Sequence, residues 1–249
     1  MSTGFVAPVS ARSPHAARIS GRQLAACIAA AAGLAVLLAA VTDIVAHALA
    51  PHWSHTDGLT VLIVAEVYLA IVAGLVVGTG GPAGARQLLA LRHAEPGQAG
   101  SALALLVAAC TAGLAVSMAF SPLSGGPVAT LEAIVRAGSD ESRMPTATPL
   151  VWALIVFRIV ALTGVAEELL FRGALYGWLR RRLSVPAAIT ATTAAFALEH
   201  SYYPVLIPLV VAVGLALGWV RHRTHATTVA ILMHIAVDLA LFTAAVALA

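Results

Sequence analysis

Residues 101–120 read SALALLVAACTAGLAVSMAF, twenty residues without a charged side chain. At 1.5 Å per residue such a stretch makes a helix about 30 Å long, enough to cross the hydrocarbon core of a bilayer. The apolar residues run on continuously and do not alternate, which argues against the ~10-residue dyad pattern of a membrane β-barrel strand. The rest of the chain agrees. Of 249 residues 60% are hydrophobic and only 10% are charged, and the mean hydropathy is +0.94. A water-soluble domain of this length would need far more polar surface.

Seven candidate spans follow at 24–49, 58–79, 101–120, 149–179, 185–200, 205–220 and 226–248. Breaks such as Gly80-Gly81-Pro82 and Ser124-Gly125-Gly126-Pro127 separate them. The longest polar connection, 121–148, is expected to hold a short helix at 128–137. The expected fold is all-α, a polytopic transmembrane bundle with its active-site core in the last four spans. Its organisation reads as a cytoplasmic N-terminal tail (1–23), an N-terminal transmembrane region with the polar loop (24–148) and a C-terminal core (149–249). The first span resembles a signal peptide, with Ala48-Leu49-Ala50 as a cleavage site. Its apolar run is long for such a signal and Pro51 follows the cut, so it reads as a retained helix.

All fourteen basic residues are arginine. Ten fall on one side of the expected bundle: Arg12, Arg18, Arg22, Arg86, Arg92, Arg180, Arg181, Arg182, Arg221 and Arg223. The other side receives Arg136 and Arg143, while Arg158 and Arg172 lie within the fourth span. This asymmetry predicts a cytoplasmic N-terminus in a multi-pass membrane protein, of a prokaryotic cell membrane, with the bilayer as its first partner. Short arginine runs flanking apolar segments are orientation signals, and nucleic acid is excluded as a partner. Cys27 and Cys110 sit inside apolar runs and read as buried packing residues, not a disulfide.

Charge inside a bilayer costs something like 2.5–3.5 kcal/mol per residue on insertion scales, so each intramembrane charge calls for a reason. The fourth span contains Glu167-Glu168-Leu169-Leu170-Phe171-Arg172. Glu168 and Arg172 are four apart and share a helix face, where they can pair. The fifth span ends Phe196-Ala197-Leu198-Glu199-His200, and the seventh holds His234-Ile235-Ala236-Val237-Asp238, again with a spacing of four. Glu168 lies sixteen residues before Ser184 and His200 sixteen after it. An antiparallel hairpin returns both to one depth, about 24 Å from the turn. His234 and Asp238 lie ten and fourteen residues beyond the turn near Thr224, on the same arginine-rich side, so all converge on one slab.

Such a cluster suits three chemistries. A carboxylate and a histidine can deprotonate water for hydrolysis. Two histidines and a carboxylate can hold a divalent metal such as zinc. Alternating acids and histidines can also relay protons through a transporter or proton-coupled carrier. Spacing alone leaves these open, together with an inert immunity or scaffold protein of the same fold.

In order and spacing, Glu167-Glu168-x-x-x-Arg172, Phe196-x-x-x-His200 and His234-x-x-x-Asp238 resemble the three motifs of the CAAX-prenyl endopeptidase and bacteriocin-processing (CPBP, or Abi) family of intramembrane peptidases. The likeness runs from about residue 150 onward. It implies an endopeptidase, read in some members as a metalloprotease, that cleaves a membrane-associated peptide or protein. Glu167 would be the catalytic carboxylate and His200 its partner on the attacking water. Glu168 and Arg172 would complete the first motif, with Arg172 structural or electrostatic. His234 and Asp238 would face the scissile carbonyl. The prenyl-protein branch usually has asparagine where this chain has Asp238, and an ionised carboxylate cannot donate to an oxyanion. Glu167, His200 and His234 are the candidate ligands of a metal.

The remaining polar residues read as structural. Asp43, His47, His52, His55 and Asp57 form an interfacial cluster. Glu66 and Arg158 pair with one another or with Glu199. Trp53, Trp152, Trp178, Tyr202 and Tyr203 anchor span ends.

Overall fold

The computed structural model describes residues 95–120, 125–139, 164–201 and 204–248, with short pieces at 29, 72–74, 83–84, 86 and 89–92. The expected spans 24–49 and 58–79 lie outside the described residues apart from such pieces. So do the cluster from Asp43 to Asp57, Glu66, Arg158, Trp53, Trp152, Tyr202 and Tyr203.

The described chain is helical throughout, and the fold is a helical membrane bundle. Helix α1 spans Pro96–Ala119 and α2 spans Pro127–Ser139. Helix α3 begins at Gly164–Glu168, widens into a π-helical segment at Leu169–Leu175 and closes as α-helix at Tyr176–Leu179. Helix α4 is Val185–Glu199. A single 3₁₀ turn, Pro204–Leu206, leads into α5, Ile207–Thr224, and α6 is Thr227–Leu248.

Local chemistry fixes the ends. Glu95 and Gln98 close a reciprocal capping box on α1, with Pro96 in its first turn, where a missing N–H costs nothing. Ser184 Oγ accepts from the Ala187 N–H at 3.4 Å and starts α4 directly after the Arg180–Arg182 turn. Helix α5 stops at His225, whose φ of 54° is left-handed and cannot propagate a helix. Thr224 Oγ1 then accepts from the Ala226 N–H at 3.2 Å, and the chain reverses into α6.

Three of these helices are long and apolar enough to cross a membrane: Gly97–Ala119, Pro204–Thr224 and Thr227–Ala244. Their outward surfaces carry Leu103, Val107, Val116, Leu215, Leu232 and Leu239. Apolar side chains outside and charged ones inside invert the pattern of a soluble domain. Helix α4, at fifteen residues, is about 22 Å long and shorter than the expected full crossing. It ends inside the bundle, which leaves His200 at a helix terminus. Cys110, expected to be buried, is only half-buried on α1.

In lipid, helices gain little from apolar contact as such, so small residues that admit close packing matter more. Gly214 and Gly218 lie one turn apart on α5 and face Thr193 and Ile189 of α4. A methyl group on either would come within 2.9 Å of those side chains. On α1, Gly113 meets the α5 backbone itself, because a Cβ there would lie 2.7 Å from Leu209 Cα. Ahead of α1, Leu89 is buried against Gly173 of the π-helical segment, and its carbonyl accepts from Thr227 Oγ1 at 2.6 Å. The Ala90 carbonyl accepts from the Thr227 N–H at 3.1 Å. These bonds bind the approach to α1 onto the start of α6. They also gather Arg92, Arg180–Arg182, Arg221 and Arg223 at one end of the bundle.

Gly113→Ala is expected to lower the melting temperature in detergent, since overpacking against backbone typically costs about 1–3 kcal/mol. An unchanged melting curve would contradict the α1–α5 approach.

Candidate active site

The structure brings Glu167, Glu168, Arg172, His200, His234 and Asp238 into one cluster within the bundle. Helix α3 supplies the first three. Its residues at the site are buried almost without interruption (Ala166 to Leu169, then Phe171 to Ala174), so the helix is enclosed and not one-faced. The π-helical turn falls between the glutamates and the end of α3, a placement common near functional sites.

The Glu168–Arg172 pair forms as its spacing predicts. Arg172 Nη1 donates to Glu168 Oε1 at 2.6 Å, and both side chains have 0% exposure. The guanidinium also reaches α5, where Nη2 donates to the Gly214 carbonyl at 3.3 Å. Its plane lies 4.4 Å from the centre of the Phe196 ring, a cation–π contact in a dry environment. Gly214 must be glycine for this, because a Cβ would sit 3.3 Å from Arg172 Nη2 and 2.9 Å from Thr193 Cγ2.

His234 uses its Nδ1 against the same carboxylate oxygen, 2.9 Å from Glu168 Oε1. Its Nε2 turns to the other two acids, 3.6 Å from Glu167 Oε2 and 3.5 Å from Asp238 Oδ1. Both distances exceed a good hydrogen bond. Gly164 borders this side, 3.4 Å from Asp238 Oδ2 measured at its virtual Cβ. Phe196 sits between the two histidines, with ring centres 4.6 Å from His200 and 5.7 Å from His234. The first phenylalanine of the second motif thus becomes the wall that Arg172, His200 and His234 share.

His200 closes α4. Its Nδ1 lies 2.9 Å from the Phe196 carbonyl and 3.0 Å from Glu199 Oε2. The geometry adds one residue to the metal ligands expected from sequence. Glu167, Glu199 and His200 each bring a ligand atom to within 4.8 Å of the others, and among the described residues theirs is the group that does so. His234 is not part of that group, although its Nε2 lies 3.6 Å from Glu167 Oε2; its Nδ1 is engaged by Glu168. The sequence names Glu199 only as a pairing partner for Glu66 or Arg158. Its only signal was the position next to His200, and a carboxylate at a helix end is usually solvated.

A deletion of Arg172 leaves Glu168 buried and uncompensated. Arg172→Ala is therefore expected to cost about 3–5 kcal/mol of stability. Arg172→Lys should recover part of this, since lysine keeps the charge but not the fork that reaches the Gly214 carbonyl. Thermal melting of both variants in detergent checks the order wild type, then Lys, then Ala; equal melting of all three would contradict the pairing.

Residues 149–240 match the family model described as Rce1-like, type II CAAX prenyl endopeptidase. No curated protein and no solved structure matches the chain. The match encloses all three motifs and the whole cluster, from Glu167 to Asp238. Over this stretch the chain is similar to the Rce1-like type II CAAX prenyl endopeptidases, which supports a CPBP-type intramembrane peptidase.

Proposed function

We propose that this protein is an intramembrane endopeptidase in which Glu167 and His200 activate the water that attacks a peptide bond. The observation that carries the reading is the different surroundings of two adjacent carboxylates. Glu168 is engaged by Arg172 and His234, whereas Glu167 faces His200, Glu199 and the free edge of His234. A general base must be within reach of a water and not locked in a tight ion pair; Glu168 is held by Arg172 at 2.6 Å, whereas Glu167 Oε2 is 3.6 Å from His234 Nε2, so Glu167 meets this better.

The roles follow from the contacts. His200 directs Nδ1 to the Phe196 carbonyl, which sets its tautomer and turns Nε2 to the water. Glu167 takes the water proton and passes it to the departing amine. His234, with Nδ1–H donated to Glu168, presents Nε2 to the carbonyl oxygen, and as an imidazolium it donates there as charge develops. Asp238, at 3.5 Å from that nitrogen, orients the ring. A carboxylate at this position suits holding a histidine better than donating to an oxyanion. A divalent metal, when bound, would polarise the water and lower its pKa.

The substrate is a membrane-associated peptide or protein, the class that a buried site in a helical bundle can reach from the lipid. The arginine-rich end is cytoplasmic on this reading, with the N-terminus on the same side and the chain crossing a prokaryotic cell membrane several times.

Glu167→Gln is expected to reduce hydrolysis by about 10²–10⁴-fold while melting stays close to wild type. Cleavage of a membrane-anchored peptide library, read by mass spectrometry, provides the measurement. Near wild-type turnover in the purified variant would exclude Glu167 as the base.

A further inference from the structure

Glu199 is an unspecified position of the second motif, yet it stands beside Glu167 and His200. Its Oε2 is buried and receives no hydrogen bond, although His200 Nδ1 is only 3.0 Å away. The two facts agree if the Nδ1–H is aimed at the Phe196 carbonyl, 2.9 Å distant, so that the carboxylate lies near the ring but off the donor line. A buried carboxylate oxygen with no donor is costly unless another positive group meets it. Of its neighbours in the cluster, Glu167 is another acid, and His200 directs its Nδ1–H to the Phe196 carbonyl.

We propose that Glu167, Glu199 and His200 form a site for one divalent cation of the zinc class, with Glu199 as the third ligand. Three features support this. The three ligand atoms lie within 4.8 Å of one another, and four-coordinate zinc at 2.0–2.1 Å sets ligand atoms roughly 3.4 Å apart, a contraction that side-chain rotation supplies. The Phe196 carbonyl holds Nδ1, which makes Nε2 the nitrogen that carries the lone pair. A backbone acceptor on the other ring nitrogen is how ligating histidines are usually fixed. The cation would also meet the Glu199 carboxylate once its Oε2, now 3.0 Å from His200 Nδ1, turns towards Nε2. His234 stays outside the set, bonded to Glu168, and its Nε2 remains available to a substrate carbonyl. Two carboxylates and one imidazole leave a fourth position for water, the open geometry of a catalytic zinc site.

The proposal takes its chemical purpose from the hydrolytic reading above, but metal binding is measured apart from cleavage. The protein purified in detergent is stripped with chelator and titrated with zinc chloride by calorimetry, with bound metal counted by mass spectrometry. Wild type is expected to bind one zinc. Glu199→Gln should weaken binding by about 100-fold or more, at or above the usual effect of disturbing a residue behind the ligands. Glu199→Asp, which keeps a carboxylate, should retain measurable binding and guards against a glutamine variant that fails to fold. His234→Gln should bind zinc as wild type does. No zinc bound by wild type, or equal affinity in Glu199→Gln, would overturn the proposal. Zinc lost from His234→Gln but kept by Glu199→Gln would overturn it too and return the ligand set to Glu167, His200 and His234. Zinc bound as proposed without any cleavage would leave this site standing and remove the peptidase reading instead.

Discussion

One carboxylate oxygen holds the centre of the bundle together. Glu168 Oε1 accepts from Arg172 at 2.6 Å and lies 2.9 Å from His234 Nδ1, with Glu168 and Arg172 fully buried. Through these bonds and their immediate neighbours four helices meet: α3 carries the pair, α6 brings His234, α5 offers the Gly214 carbonyl, and α4 lays the Phe196 ring beneath the guanidinium. The Arg172 carbonyl even accepts from Arg221 Nε at 3.1 Å, which ties the arginine-rich end to the same residue. Whether such a pair stabilises the fold more than apolar residues would is doubtful on general grounds. What it supplies is geometry, because either charge left alone in the bundle would be very costly, and only one arrangement of the four helices satisfies both.

That arrangement depends on what is missing at Gly214, Gly218 and Gly113. Side chains there would meet their neighbours at 2.7–2.9 Å and force α5 away from α4 and α1. The Nη2 bond to the Gly214 carbonyl and the cation–π contact would then fail together. Packing by small residues and pairing of buried charge are thus two aspects of one constraint, since lipid offers neither an apolar driving force between helices nor water to repair a broken bond.

Much of this was legible in the sequence because it is local. The helices α1, α4, α5 and α6 fall within a few residues of the apolar runs, and the Glu168–Arg172 pair needed only the helical period of four. The coming together of three separated motifs could be inferred from counting turns, although unequal helix ends bend the arithmetic: His234 lies seven residues into α6, while Glu168 lies eleven before the end of α3. What remained hidden depends on contacts with no periodic trace. The π-helical widening at Leu169–Leu175, the burial of Leu89 on Gly173 and the closeness of Glu199 to Glu167 each join residues far apart or alter a turn without changing composition. Glu199 joins the candidate ligands for that reason. The sequence spaces the histidines alike, but only the fold decides which acid each ring meets.

Adjacent glutamates on a helix point about 100° apart, and this angle separates two functions that one residue could not combine. A carboxylate locked to an arginine at 2.6 Å makes a firm support, yet it can hardly accept a proton from water without breaking that support. A carboxylate left loose enough to do so cannot fix a histidine. On the proposed reading Glu168 takes the first role and Glu167 the second, and His234 lies between them, Nδ1 2.9 Å from Glu168 Oε1 and Nε2 3.6 Å from Glu167 Oε2. A ring so placed transmits the rigidity of the buried pair to the reacting face: its position is set behind by Glu168, so its front edge needs no further bond to stay in line. The doubled glutamate of the first motif is, on this view, the smallest change of sequence that builds a support and a base on a single turn of helix.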